Sequence, residues 1–253
     1  MREIFFLSDF GLADPYAAVV KAVMRQITTG LVVHDLAHNL PPGDLRRASY
    51  ILYESVPYLP RNSVVLAVID PGVGSSRRAV LVVGERLCYV APDNGLLTLA
   101  YLQDPPRKVY ALENPAYHLP RKSTTFHGRD VFGPVAAHLA AGVEPHRFGP
   151  ELPVAELVRL PIHLNFGSQG EILTFDRFGN AITTLLATPA HVRGRTVRIR
   201  YHRIPVASHY AEVPVGTALA YVGSAGLLEV AVHLGNAHEQ LGLITGDRVE
   251  LVG

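Results

Sequence analysis

Ser63-Val-Val-Leu-Ala-Val-Ile-Asp-Pro-Gly-Val-Gly-Ser-Ser-Arg77 sets the architecture of the first half of this chain. After Ser63 the run is apolar to Ile69 without a break. A strand reads this way when both of its faces are covered. The run stops at Asp70, and Pro71-Gly72 opens a turn that ends on Arg77. Ligands of open α/β sheets bind at the carboxyl ends of strands, which is where these polar groups fall.

Working outward, strand and helix signals alternate. Ile4 to Ser8 reads as a buried strand, and Asp14-Pro15 as an N-cap with proline opening a helix. Val19, Val20, Val23, Met24 and Ile27 follow at helical spacing. Leu31 to Leu36 is a second strand, and Asp44 caps a helix carrying Leu45, Ala48, Ile51 and Leu52. Ala79 to Val83 and Leu87 to Ala91 flank Gly84-Glu85-Arg86 as a hairpin. Asp93 is placed as the cap of a short helix over Leu96 to Tyr101, and Lys108 to Leu112 as a strand. Asp130 to Ala141 is predicted helical and closed by Gly142. This alternation predicts an α/β unit over residues 1–150, with a mostly parallel sheet flanked by helices.

Prolines 145, 150, 153 and 161 then interrupt any period, which places a linker at 151–169. From 170 to 253 the pattern is all β. Glu171 to Phe175 and Ala181 to Leu186 flank Asp176-Arg-Phe-Gly-Asn180. Arg195 to Tyr201, Ala218 to Val222, Leu227 to Val232 and Arg248 to Val252 are further strands. Short strands with glycine-rich turns predict a small barrel or sandwich.

Composition narrows the function. The 253 residues are 48% hydrophobic and 18% charged, with a formal net charge of +1. That balance gives no electrostatic reason to expect nucleic acid or an anionic membrane as partner. The bases are nearly all arginine, with lysine only at 21, 108 and 122. Cys88 is the single cysteine, so an internal disulfide and a thiolate zinc cluster are excluded. The start is too short and too soon polar for a signal peptide, and no apolar run approaches about 20 residues. A cytoplasmic protein is expected.

Asp9, Asp35 and Asp70 follow the first three strands. Each alone suits a turn or a cap. Together at one sheet edge, and joined by His127 in Thr125-Phe-His-Gly-Arg-Asp130, they point to a site. An acid, a guanidinium and an imidazole, here Asp70, Arg77 and His127, can hold and polarise one water. Arg78 competes with Arg77 by position. His34 and His38 read as surface or packing residues, and His138 as a helix-face residue. Gly72-Val-Gly74 has no GxGxxG frame or Walker lysine, and Ser8 and Ser224 lack a GxSxG elbow.

Six blocks taken in order carry a resemblance. They are Leu7-Ser-Asp-Phe-Gly11, Asp70 to Arg77, Ala91-Pro-Asp-Asn-Gly-Leu-Leu97, Thr125 to Asp130, Phe175 to Asn180, and the run from Gly223-Ser-Ala-Gly226 to Gly235-Asn-Ala237. The chain resembles the S-adenosylmethionine hydroxide adenosyltransferases, relatives of the adenosyl-forming halogenases. The resemblance implies an N-terminal α/β domain, a C-terminal β-barrel and a homotrimer with active sites at subunit interfaces. It implies hydrolysis of S-adenosylmethionine to adenosine and L-methionine, with the sulfonium compound as substrate and no cofactor or metal.

Within that resemblance Asp70, Arg77 and His127 match the set that holds and activates water. Asp9 matches the residue on the ribose hydroxyls, and Asp176 the one that pairs with the methionine ammonium. Phe126, Phe178 and Asn180 join the substrate-binding set, the last two around the adenine. Ser224 would meet the methionine carboxylate, and Ala237 would offer backbone groups to the adenine. The halogenases carry Tyr where this chain has Asp70, and a carboxylate there would repel a halide. Fluorinase has Tyr-Ser in place of His127-Gly128, an Arg in place of Ala225 and a Trp in place of Gly43. Two other classes remain: a metal-dependent phosphohydrolase built on the strand-end aspartates, and a non-catalytic binder of S-adenosylmethionine or adenosine.

Overall fold

The apolar strands of the first half assemble as their sequences require. A computed structural model describes residues 1–120 and 123–253, so Arg121 and Lys122 lie outside the described residues. The chain divides into two compact units, Met1–Leu160 and Pro161–Gly253. Strands β1 (Ile4–Ser8), β2 (Val33–Ala37), β3 (Val64–Val68), β4 (Ala79–Gly84), β5 (Cys88–Pro92), β6 (Pro106–Ala111) and β7 (Glu151–Leu152) form the first unit's sheet. Their order is β2-β1-β3-β5-β4-β6-β7. The first four in that order are parallel, and the rest join antiparallel.

Helices α1 (Tyr16–Ile27), α2 (Leu45–Ser55), α3 (Ala100–Gln103) and α4 (Gly133–Ala140) cover the sheet. The two-residue period of β3 divides its side chains between two cores. Val64, Leu66 and Val68 pack with Ala17, Val20 and Met24 of α1 and Val135 and Leu139 of α4. Val65, Ala67 and Ile69 pack with Ala48 and Leu52 of α2 and Ala100 of α3. Every residue of β3 is buried, which explains its unbroken apolar sequence.

Helix starts differ from expectation in three places. Asp44 caps α2 as read, accepting from Arg47 N at 2.9 Å. At α1, however, Pro15 occupies the cap position and no side chain caps the helix, so Asp14 stands one residue too early. Asp93 caps nothing. Its carboxylate is taken by Arg78 and by Val158 N, and α3 starts later, at Ala100. The segment expected to be helical from Asp130 begins instead as a π turn, Gly128–Phe132, that runs into α4. Asp130 is fully buried and accepts from Ser123 N at 2.6 Å. His138 is on α4, against the ring of Tyr117. The proline-rich stretch after 150 is not a free tether in its first half. Glu151–Leu152 pairs with β6, and Leu160 N donates to Thr98 Oγ1 at 2.8 Å.

In the second unit, β8 (Gln169–Phe175), β9 (Ala181–Leu186), β10 (Thr196–Ile199), β11 (His202–Pro205), β12 (Ala218–Val222), β13 (Leu227–Val232) and β14 (Arg248–Val252) pair antiparallel throughout. The order is β11-β10-β14-β8-β9-β13-β12. Beyond β11 the chain turns onto the far edge strand, where Ala207 N donates to Ala220 O at 2.8 Å. This closes the sheet towards a barrel around Ile172, Leu185, Val197, Val230 and Leu251. The strand expected over Arg195 to Tyr201 ends at Ile199, because Arg200 turns left-handed at φ +52° and the chain reverses into β11 at His202. Helices α5 (Pro189–Val192) and α6 (Ala237–Gln240) are single turns. Among the described residues no helix is long and apolar enough to cross a membrane.

One buried carboxylate holds the β4–β5 hairpin. Asp104 is fully buried and accepts from Arg86 N at 2.8 Å, Leu87 N at 3.0 Å and the Tyr89 hydroxyl at 2.9 Å. A side chain on Gly84 would collide with it. Asp104→Ala strands three donors in the interior and should destabilise the N-terminal unit by about 3 kcal/mol. Denaturant unfolding checks this; a loss below about 1 kcal/mol would contradict the role given to Asp104.

Candidate active site

Parallel pairing of β1 and β3 sets Ser8 beside Val68. The loops that leave these strands therefore start side by side, one with Asp9 and the other with Asp70. Backbone approach then brings in the third partner. Gly74 is left-handed at φ +80°, and a Cβ there would be 2.6 Å from Thr124 O. Only glycine lets the 70–77 loop lie this close to the segment that carries His127. On the other side, a Cβ on Gly128 would be 2.9 Å from the Phe10 ring.

Asp70, Arg77 and His127 meet. Arg77 Nε donates to the two Asp70 oxygens at 2.9 and 3.0 Å, and Arg77 Nη2 also contacts Asp70 Oδ2. Arg77 Nη2 donates to His127 Nδ1 at 2.9 Å. The Asp70 and Arg77 side chains are 6% and 10% exposed, and the guanidinium lies over the Phe132 ring. Arginine has no acceptor, so the imidazole nitrogen that faces it presents a lone pair. The proton of the neutral ring is therefore on Nε2. Arg78 points elsewhere, to Asp93 and Glu156, so Arg77 is the arginine of this cluster.

A cavity of about 270 Å³ opens here, lined by Asp9, Asp70, Phe126 and His127 among others. Asp9 Oδ2 accepts from Gly43 N at 2.8 Å, which aims the carboxylate. Phe126 packs edge-on against Phe10 and Tyr16, forming an apolar wall. Asp35 does not belong to this edge. It lies within β2, paired with Lys21 at 2.9 Å and His38 at 3.0 Å. The β1–β2 register places it beside Phe6, short of the strand end. His34 is exposed and stacked on Phe5, while His38 is buried against Ser8 Oγ at 2.6 Å.

The second unit gathers another group. Asp176 Oδ1 accepts from Phe178 N and Asn180 N, both at 2.8 Å, and Oδ2 from Asn180 Nδ2 at 2.8 Å. Gly179 lies too close to Asn236 for any side chain, and His238 N donates to Gly179 O at 2.9 Å. Phe178 and Asn180 are thereby held beside Asn236-Ala237, with Phe178 72% exposed. Ser224 is in the β12–β13 turn, near the Leu186 end of β9, whereas the Asp176 turn is at the Ala181 end. The Glu229 carboxylate lies between, against Gly223 on one side and bonded to Tyr221 on the other. Tyr210, Tyr221 and Glu229 were not singled out in sequence. Their one signal is a lone charge in the apolar run Leu227 to Val232. A larger groove of about 790 Å³ on the barrel carries Arg198, Arg200 and Arg248. Arg198 and Arg200 there are engaged by Glu250 and Asp247, so the groove is larger than the cleft but less suited to chemistry.

Among the described residues, no group of three or more His, Cys, Asp or Glu side chains is disposed to hold a metal ion. An α/β unit with a polar cleft at its strand ends, followed by an antiparallel barrel, defines a two-unit class. The chain belongs to the SAM hydroxide adenosyltransferase family, matching the model of its N-terminal domain over residues 4–149 and that of its C-terminal domain over 170–250. It is 57% identical to an (R)-S-adenosyl-L-methionine hydrolase of Thermus thermophilus, over 100% of both chains. It is 40% identical to a Salinispora arenicola protein of the same name, covering 98% of this chain and 97% of that one. The crystal structure of a conserved hypothetical protein from Thermus thermophilus matches with a TM-score of 0.89 and 57% identity, covering both chains completely.

The geometry makes a direct prediction. In ¹⁵N NMR of the neutral protein, His127 should be the Nε2–H tautomer, and Arg77→Met should allow the Nδ1–H form to appear. A wild-type ring protonated at Nδ1 would contradict the Arg77–His127 bond.

Proposed function

We propose that this chain hydrolyses S-adenosyl-L-methionine to adenosine and L-methionine by attack of water or hydroxide on the ribose C5′. The observation that carries the reading is the Arg77 guanidinium joining Asp70 to His127, two residues that line the cleft. Family membership and the names of the relatives support the substrate.

Each member of the set has a distinct role in this reading. Arg77 donates only, and its direction of donation leaves His127 with an N–H at Nε2. Asp70 is then the member of the set with a lone pair left to take the proton of water. Arg77 holds the carboxylate in place, and His127 Nε2–H orients the water oxygen. The oxygen–C5′ bond forms as the C5′–sulfur bond breaks, and that electron pair returns to sulfur. Methionine leaves as a neutral thioether, so no general acid is required. The rate then depends on holding water in line with the C5′–S bond. A carboxylate at this point also suits a cationic sulfonium and repels a competing halide.

Asp9, already aimed by Gly43 N, is proposed to accept from both ribose hydroxyls, with Phe126 on the apolar wall beside it. Asp176 is proposed to take the methionine ammonium with the lone pairs its turn leaves over. Phe178 and Ala237 are proposed to meet the adenine with Asn180, and Ser224 the methionine carboxylate. The proposed assembly is a cytoplasmic homotrimer in which the N-terminal unit of one subunit and the C-terminal unit of its neighbour share each substrate. The family resemblance is the support for this assembly, and the proposed binding residues divide between the two units.

Purified protein incubated with S-adenosylmethionine and EDTA should release adenosine and methionine in equal amounts by chromatography. Asp70→Asn should lower kcat by about 10³-fold with a smaller change in KM, whereas Arg78→Ala should leave kcat within about 3-fold. Bound substrate with no product would leave a binding protein, and activity abolished by EDTA would favour the metal-dependent alternative.

A further inference from the structure

A chain of hydrogen bonds runs from the buried Glu229 through Tyr221 and the exposed Tyr210 to the buried Asn180. The Glu229 carboxylate is 6% exposed and accepts from the Tyr221 hydroxyl at 2.5 Å. The Tyr221 oxygen accepts from the Tyr210 hydroxyl at 2.8 Å, and the Tyr210 oxygen accepts from Asn180 Nδ2 at 3.2 Å. The other N–H of that amide goes to Asp176 Oδ2. A carboxylate only accepts, so each hydroxyl must pass its proton towards Glu229, which leaves Tyr210 as an acceptor to Asn180. Burial, followed by the bond to Glu229, raises the pKa of Tyr221, which keeps its proton.

The consequence lies at Asn180. Both of its side-chain N–H groups are committed, and its amide orientation is chemically forced rather than arbitrary. What remains is the Oδ1 acceptor, two residues along the turn from the exposed ring of Phe178. An aromatic face beside a lone acceptor suits a planar base bearing an N–H donor and disfavours one bearing a carbonyl. We infer that Glu229, Tyr221 and Tyr210 are positioning residues that lock Asn180 to present only an acceptor, and so select a 6-amino over a 6-oxo purine. This rests on the proposed placement of adenine at the Phe178–Asn180 turn.

Tyr210→Phe would release one Asn180 N–H and so offer a donor to a carbonyl. Tyr221→Phe would break the chain one step further from the substrate. The test compares kcat/KM for S-adenosylmethionine with that for its deaminated analogue, S-inosylmethionine. The wild type should prefer the amino base, and Tyr210→Phe should reduce that preference by about 10-fold, with KM for S-adenosylmethionine rising more than kcat falls. Tyr221→Phe should reduce it by several-fold, a change that loosened folding would not direct at one base. If the wild type turns over S-adenosylmethionine and both variants keep its full preference, the inference fails while the hydrolase reading stands. If the wild type neither binds nor cleaves S-adenosylmethionine, the hydrolase reading fails and this inference falls with it.

Discussion

Arg77 holds two hydrogen-bond acceptors from different parts of the chain, and the cleft depends on it. A guanidinium is always charged and presents a rigid fork of donors. Here it is nearly buried, and a buried charge is tolerated only when paired and hydrogen-bonded. Asp70 supplies the counter-charge seven residues away, and His127 supplies a further acceptor fifty residues on. The pairing is what makes the β3 loop and the segment before α4 a single unit. Replacing Arg77 with an apolar residue would leave the Asp70 carboxylate buried and uncompensated, so its loss would be felt as stability and as chemistry together.

Backbone conformation makes this arrangement possible. Gly74 carries the loop over Thr124 O, Gly128 clears the Phe10 ring, and Gly43 turns left-handed to offer its N–H to Asp9. The π turn at Gly128–Phe132 begins immediately after His127, between the cleft and the regular turns of α4. Such single π turns are frequent at functional sites. In the second unit the logic is repeated with Gly179, which lies against Asn236 and fixes the Asp176 turn.

Much of this was legible in the sequence, for physical reasons. The run Val64 to Ile69 could only be a strand covered on both faces, and Asp44 could cap only the helix that follows it. The strand-end positions of Asp9 and Asp70 followed from those strands. Asp35 was placed at the edge although it falls inside the stretch read as the second strand, Leu31 to Leu36, because only the pairing register with β1 sets it beside Phe6 and short of the strand end. Asp93 and Asp14 looked like caps, since local sequence does not reveal a distant Arg78 or a proline that takes the cap itself. Arg77 could not be separated from Arg78 because adjacent residues differ only in the face they present. The Glu229–Tyr221–Tyr210 chain was hidden because it depends on pairing across strands, which no local period records. β11 was hidden by a single left-handed residue, Arg200.

In the proposed reaction water bonds to the ribose C5′ while the sulfur departs with its electron pair. Turnover of S-adenosylmethionine in H₂¹⁸O, followed by mass spectrometry of the products, tests it most directly. The account predicts one ¹⁸O in each adenosine, at the 5′-hydroxyl, and none in methionine. Unlabelled adenosine, or label carried by the amino-acid product, would contradict it.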